Sequence, residues 1–175
     1  MTIRHAVAAD IPGVTAIYGE ILSREEAGLS TTGWQSGVYP TEQTAREALA
    51  CGELFVMEEQ GALVAAARIN QIQVPEYALC PWEHPAPDEE IMVIHTLVVD
   101  PNCGGRGLAT AFVAFYEEYA RNNGCLYLRM DTNARNIAAR SLYKKLGYRE
   151  PGIVPCNFNG LPGVQLVCLE KKLEV

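Results

Sequence analysis

From Ile91 to Val99 the chain reads IMVIHTLVV, apolar except at His95 and Thr96 and largely β-branched. A run this short and uniform predicts a strand covered on both faces. Asp100-Pro101 ends it, because proline brings no N–H to a ladder. Elsewhere the apolar positions fall into two periods. Ile11, Val14, Ile17, Tyr18 and Ile21 recur at helical spacing behind Asp10, which is placed to cap them with Pro12 in the first turn, and Gly28 closes that helix. Pro40-Thr41 opens a second helix that runs to Cys51-Gly52. Leu108, Phe112, Phe115 and Tyr119 mark one face of a helix from Leu108 to Asn122, and Ala139, Leu142 and Leu146 mark another from Asn136 to Leu146. Further strands are predicted at 3–8, 53–58, 63–72, 125–131, 148–154 and 164–169, with turns at Gln60-Gly61 and Asn159-Gly160.

About seven strands and about four helices, with no repeat and no linker between them, predict an α+β fold in one domain spanning residues 1–175. Residues 71–90, before the central strand, are proline-rich and carry no helical period. They read as an irregular insertion, and loops of such length are often functional.

The central strand leads into Gly104-Gly105-Arg106-Gly107 and then directly into a helix. A glycine turn at a helix N-terminus presents several N–H groups and the positive end of the helix dipole, so an anion site, most naturally for phosphate, is expected. The turn lacks the third glycine of a dinucleotide fingerprint and the Gly-Lys-Ser/Thr of a P-loop.

A net charge of −7 argues against a nucleic-acid partner, which needs a surplus of Lys and Arg. No apolar run reaches the roughly 18 residues of a membrane span, and the N-terminus has no hydrophobic leader, so no membrane association and a cytoplasmic location are expected. The six cysteines (51, 80, 103, 125, 156 and 168) form no C-x-x-C pair. Free thiols and no metal site are therefore expected.

Two stretches together resemble the GNAT acetyltransferase superfamily. GGRGLA, residues 104–109, is similar to the family's acetyl-CoA signature after a strand ending in Asp-Pro. Gly107 and Ala109 match it, and Gly104 stands where a long polar residue is usual. NIAARSLYKKLGY, Asn136 to Tyr148, is similar to the second signature at Asn136, Ala139, Leu142, Tyr143, Lys145, Gly147 and Tyr148. Asn136 and Tyr143 are about two helical turns apart and share a face.

The resemblance implies a mixed central sheet splayed between its fourth and fifth strands. It also implies acetyl transfer from acetyl-CoA, as co-substrate and without a metal, to a primary amine of a small molecule or peptide by direct attack in a ternary complex. The main chain of Leu97, Val98 and Val99 would pair with the pantetheine arm. The turn from Gly104 through Gly105, Arg106, Gly107, Leu108, Ala109 and Thr110 would hold the diphosphate, and Asn136 would meet the pantetheine or nearby backbone. Tyr143 would protonate or hydrogen-bond the leaving sulfur. Two groups are candidate bases for the amine: His95 first, because imidazole titrates near neutrality, and Asp131 second. Trp34, Tyr39, Tyr77 and Phe158 are candidate acceptor contacts. No Lys or Arg occurs from Ile69 to Gly105, whereas the insertion holds Glu76, Glu83, Asp88, Glu89 and Glu90. If it borders the acceptor cleft, a cation is favoured there. Dimers are common in the family, so a homodimer is an open expectation. A non-catalytic acyl-CoA sensor of the same fold is the alternative to an enzyme.

Overall fold

The computed structural model describes residues 1–174. One sheet runs in the order β1-β2-β3-β4-β5-β7-β6. Its strands are β1 (Thr2–His5), β2 (Leu54–Glu59), β3 (Ala62–Asn70), β4 (Ile91–Val99), β5 (Tyr127–Asn133), β6 (Arg149–Phe158) and β7 (Leu161–Lys172). The helices are α1 (Ile11–Glu26), α2 (Glu42–Ala50), α3 (Leu108–Asn122) and α4 (Ile137–Lys145). All neighbouring strands are antiparallel except β4 and β5.

Both faces of the central strands β2, β3 and β4 are covered, which is why they are apolar at successive positions. Phe55 and Met57 of β2 point into a core with Phe112, Val113 and Tyr116 of α3. Leu54 and Val56 point the other way, onto Val14, Ile17 and Tyr18 of α1 and Ala45 and Ala48 of α2. Tyr116 is fully buried, whereas Phe115 and Tyr119, expected on the packing stripe, only flank it. Asp10 does not cap α1. Its carboxylate instead accepts from the Val7 N–H at 2.8 Å and pairs with Arg4 at 2.7 Å, tying the end of β1 to the start of the helix.

Two features of β4 shape everything downstream. First, its alternation slips. Met92 and Ile94 face the α3 core, but beyond Thr96 it is Leu97 and Val99 that do so. The slip is a β-bulge, where the pairing jumps from Arg68↔His95 to Ala66↔Val98, and Thr96 has φ +51°. Second, β4 pairs with β5 over only three positions, Ile91 to Val93 against Tyr127 to Arg129. The Tyr116 hydroxyl sits where this pairing ends, 2.6 Å from the Met92 carbonyl and 3.2 Å from that of Arg129. Beyond that point the two strands diverge.

The insertion is anchored rather than loose. Arg129 and Glu170 are direct neighbours across β5 and β7 and are both nearly fully buried. The Glu170 carboxylate accepts from the N–H groups of Glu83 at 2.6 Å and His84 at 3.3 Å. The Arg129 guanidinium donates to Gln73 and to the His84 carbonyl and lies 4.1 Å over the Trp82 ring. Arg129→Ala would remove the positive charge nearest the buried Glu170 carboxylate and the hydrogen bonds to Gln73 and His84. It is expected to lower stability by about 3 kcal/mol, measured as a lower denaturant midpoint with an unchanged slope.

Candidate functional site

A cavity of about 470 Å³ occupies the opening between β4 and β5. Leu97, Val98 and Val99 line one wall from β4, and Asp131 lines the other from β5. Asn136 and Tyr143 close it from α4. Because no strand pairs with β4 on this side beyond Val93, the main chain of that edge is open to a ligand. The segment joining α1 to α2 covers the mouth. Glu25 holds it by accepting from the N–H groups of Thr32 at 2.9 Å and Gly33 at 3.0 Å. Gly33, at φ +75°, lies so close to the Asn133 side chain that a Cβ would collide with it.

The glycine turn sits outside this cavity, past the end of β4. Gly105 and Gly107 take φ values of +76° and +74°, a region that costs other residues. Gly104 spends its N–H on the Pro101 carbonyl at 3.4 Å. Among the described residues, none of the six N–H groups from Gly105 to Thr110 finds a protein acceptor. Six free donors at the start of α3 are the chemistry an anion-binding turn requires. The Arg106 side chain pairs with Glu59 on β2, so the free donors of this turn are those of its main chain. Asn136 is the N-cap of α4, its Oδ1 accepting from the Ala139 N–H at 3.2 Å, with its side-chain amide left toward the cavity.

The titratable groups in the cavity are pulled in different directions. Burial, reinforced by the nearby Arg68 charge, pushes the His95 imidazole down to about 4. Its Nε2 lies 2.9 Å from Asn70 Oδ1, and the Asn70 amide donates to Glu53 at 2.9 Å. That order makes Nε2 the donor in a polar chain that ends on Arg68, itself 2.6 Å from Glu53, and the lowered proton affinity leaves the imidazole neutral. Asp131 moves the opposite way. Burial lifts its carboxyl to about 6, although a hydrogen bond from the Tyr77 hydroxyl at 2.7 Å works against the rise. Burial, with the Asp131 charge nearby, pushes the Tyr143 phenol up to about 12. Among the described residues the Tyr143 hydroxyl has no hydrogen-bond partner, and its ring packs edge-on against Tyr148 at 6.0 Å.

The other expected contacts separate into two groups. Trp34, Tyr39 and Phe158 line the cavity. Tyr39 packs edge-on against Trp34 at 5.7 Å and bonds through its hydroxyl to Thr96 at the bulge. Tyr77 is not on the wall: it is 2% exposed and stands behind Asp131. Nor do the acidic side chains of the insertion reach the cavity, to which that segment contributes only Ile72 and Val74. Glu83 is engaged with Arg149 at 2.6 Å and Asp88 with Gln73 at 2.6 Å. The cavity's charge comes instead from Glu47, Asp131 and Arg68, with Arg68 already paired to Glu53. Glu47, Arg68 and Asn70 were not anticipated from sequence. Arg68 and Asn70 are the polar positions at the end of an otherwise apolar strand, which is a signal, but their partner Glu53 lies across a hairpin.

Among the described residues no group of three or more His, Cys, Asp or Glu is placed to hold a metal ion. Nor, among these residues, is any helix long and apolar enough to cross a membrane.

Comparison with known proteins adds a family. The model of the acetyltransferase (GNAT) family matches residues 20–148. Over 75 residues the chain is 33% identical to an uncharacterized N-acetyltransferase of Methanocaldococcus jannaschii, covering 43% of this chain and 33% of that protein. Over 115 residues it is 28% identical to a streptothricin acetyltransferase of Escherichia coli, covering 66% of this chain and 56% of that one. The chain thus spans only about a third to just over half of the length of these two curated relatives. A GNAT-family acetyltransferase crystal structure from Streptococcus agalactiae shares the fold with a TM-score of 0.84 at 22% identity, covering 99% of this chain and 96% of that one. The yncA protein of Salmonella typhimurium, solved with its cofactor acetyl-CoA, matches with a TM-score of 0.69 at 19% identity, covering 100% of this chain and 95% of that one.

Proposed function

The chain belongs to the GNAT acetyltransferase family, and on that premise we propose that it moves an acetyl group from acetyl-CoA to a primary amine of a small molecule or peptide, by direct attack with both bound. One observation carries the reading: a turn of free N–H groups past the end of β4, the unpaired edge of that strand and, among the described residues, a phenol without a partner in the opening between β4 and β5. That set of groups suits a ligand with a diphosphate, an amide-bearing arm and a sulfur. Acetyl-CoA supplies the activated acetyl thioester when it is bound.

The rest is the work of this chain. The N–H groups of Gly105 to Thr110 hold the diphosphate. The open edge at Leu97, Val98 and Val99 is left for the amides of the pantetheine arm. Asp131 takes the proton that an acceptor ammonium must lose before its nitrogen attacks. A carboxyl at about 6 is a better match to neutral pH than an imidazole at about 4, so Asp131 serves as the base in preference to His95. As the C–N bond forms and the C–S bond breaks, the surplus proton on nitrogen must end on sulfur. The Tyr143 hydroxyl stays protonated throughout the neutral range, so it donates to the departing sulfur and is re-supplied from the nitrogen.

Trp34, Tyr39 and Phe158 form aromatic walls for the acceptor. Glu47 and Asp131 favour an ammonium, because Arg68 is neutralised by Glu53. Six unpaired cysteines are in keeping with a reaction placed in the reducing cytoplasm.

Two measurements test this. Acetyl-CoA is expected to raise the melting temperature, and phenethylamine, spermidine or alaninamide is expected to release free thiol from it. A melting temperature that does not move would sink the reading; a shift without thiol release from any of the three would leave a binding module. Gly107→Val is expected to weaken acetyl-CoA binding about tenfold by calorimetry. It forces a β-branched residue into φ +74°, which strains the turn that presents the donors.

A further inference from the structure

Asp131 does not stand alone on β5. Side chains two apart on a strand share a face, so Arg129 and Asp131 project together. Their register partners on β7, Glu170 and Cys168, make the same face of the neighbouring strand. The insertion lies across this patch. Arg129 and Glu170 grip its far part through Gln73, Trp82, Glu83 and His84. The Trp82 indole N–H then donates to the Tyr77 carbonyl at 2.9 Å, and the two rings meet edge-on at 5.1 Å. Tyr77 is thereby fixed with its hydroxyl on Asp131 Oδ2 at 2.7 Å. Among the described residues Asp131 Oδ1 has no partner, and Asp131 lines the cavity.

We infer that Tyr77 is a positioning residue for the base: the insertion exists to deliver its hydroxyl to Oδ2, so that Oδ1 is the oxygen presented to the acceptor's ammonium. This rests on the assignment of Asp131 as the base. The hydroxyl does two things. It freezes the carboxyl's rotation, and it favours the carboxylate over the acid in a site where burial favours the acid. Without it the group would be both less ordered and more fully protonated near neutrality.

Other groups face the carboxyl from every side. Glu76 on the insertion raises its affinity for protons. Tyr39 from the segment between α1 and α2, Tyr143 from α4, Cys156 from β6 and Cys168 from β7 all feel its charge. Each of those four is neutral around pH 6, because burial pushes each of them upward. Tyr77 is therefore the group in this set that steadies the ionised form.

The experiment is Tyr77→Phe, which removes one oxygen and keeps the ring against Trp82. Asp131 is titrated directly by NMR of protein labelled with ¹³C at aspartate side chains, with Asp131→Asn identifying its signal. The midpoint is expected to rise by about one unit. The acid limb of the kcat/KM profile, taken with acetyl-CoA and whichever of phenethylamine, spermidine or alaninamide turns over, is expected to move up with it. A carboxyl midpoint unchanged by Tyr77→Phe overturns the inference. A midpoint that moves while the rate profile stays still supports the hold of Tyr77 on the carboxyl but overturns Asp131 as the base. Should Tyr77→Phe fail to fold, 3-fluorotyrosine placed at position 77 offers a more acidic donor. It must then lower the midpoint, and a rise or no change overturns the inference.

Discussion

Asp131→Asn is expected to lower kcat about 10³-fold at pH 7.5, with acetyl-CoA binding retained, since general-base catalysis is commonly worth 10²–10⁴. In the proposed mechanism the carboxylate is the active form. In the parent protein kcat/KM is therefore lost as pH falls through about 6 and is level above it. The asparagine variant is expected to show no such limb. If its profile keeps a step near 6, the base is elsewhere.

The same substitution makes an opposite prediction for stability. The Asp131 carboxyl is raised from an ordinary 3.8 to about 6. A raised group contributes stability that is complete below 3.8 and is lost as pH rises through about 6. At pH 7 the ionised carboxyl is thus held at a cost, and the asparagine variant is expected to be about 2 kcal/mol more stable by denaturant unfolding. His95 has the reverse sign. Its imidazole falls from 6.5 to about 4, so its contribution is present above 6.5 and lost as pH falls through about 4. Gain of stability with loss of turnover is the signature of a group kept for chemistry rather than for the fold.

Tyr143→Phe is expected to lower kcat about 10²-fold while leaving the KM for acetyl-CoA within about twofold. The ring is buried and packs on Tyr148, and phenylalanine keeps that contact. Only the hydroxyl goes, and among the described residues it has no hydrogen-bond partner. Its loss should therefore register when charge develops on sulfur, not on binding. A fall in affinity with kcat intact would move Tyr143 from the chemistry to the grip on the ligand. A phenol at about 12 also predicts no basic limb from Tyr143 below pH 10.

Much of this molecule was legible in one dimension. The limits of β4 match the apolar run from Ile91 to Val99, because β-branched residues between Glu90 and Pro101 admit little else. The glycine turn announced its free donors, since an N–H can lack a partner only where the backbone is exposed and permissive. Asn136 and Tyr143 fell on one face of α4 by helical geometry alone, and both line the cavity. Local chemistry also made a base of either His95 or Asp131.

What the chain order could not supply was which groups meet. Nothing in IMVIHTLVV marks the bulge at Thr96 that exchanges the faces of Leu97 and Val98, because both faces are apolar. The acidic insertion, expected beside the acceptor, turned its charges away and sent Tyr77 to Asp131 instead, under the pull of Arg129 and Glu170 from strands far along the chain. The proposed preference for Asp131 over His95 rests on the same cause. An ordinary affinity for protons belongs to the residue type, but its shift comes from burial and from neighbours assembled only when β3, β5 and the insertion are packed together. Sequence thus determined the strands, the anion cradle and the roster of reactive side chains. Tertiary structure decided their protonation and their partners, because desolvation and hydrogen bonding are properties of a place in the fold.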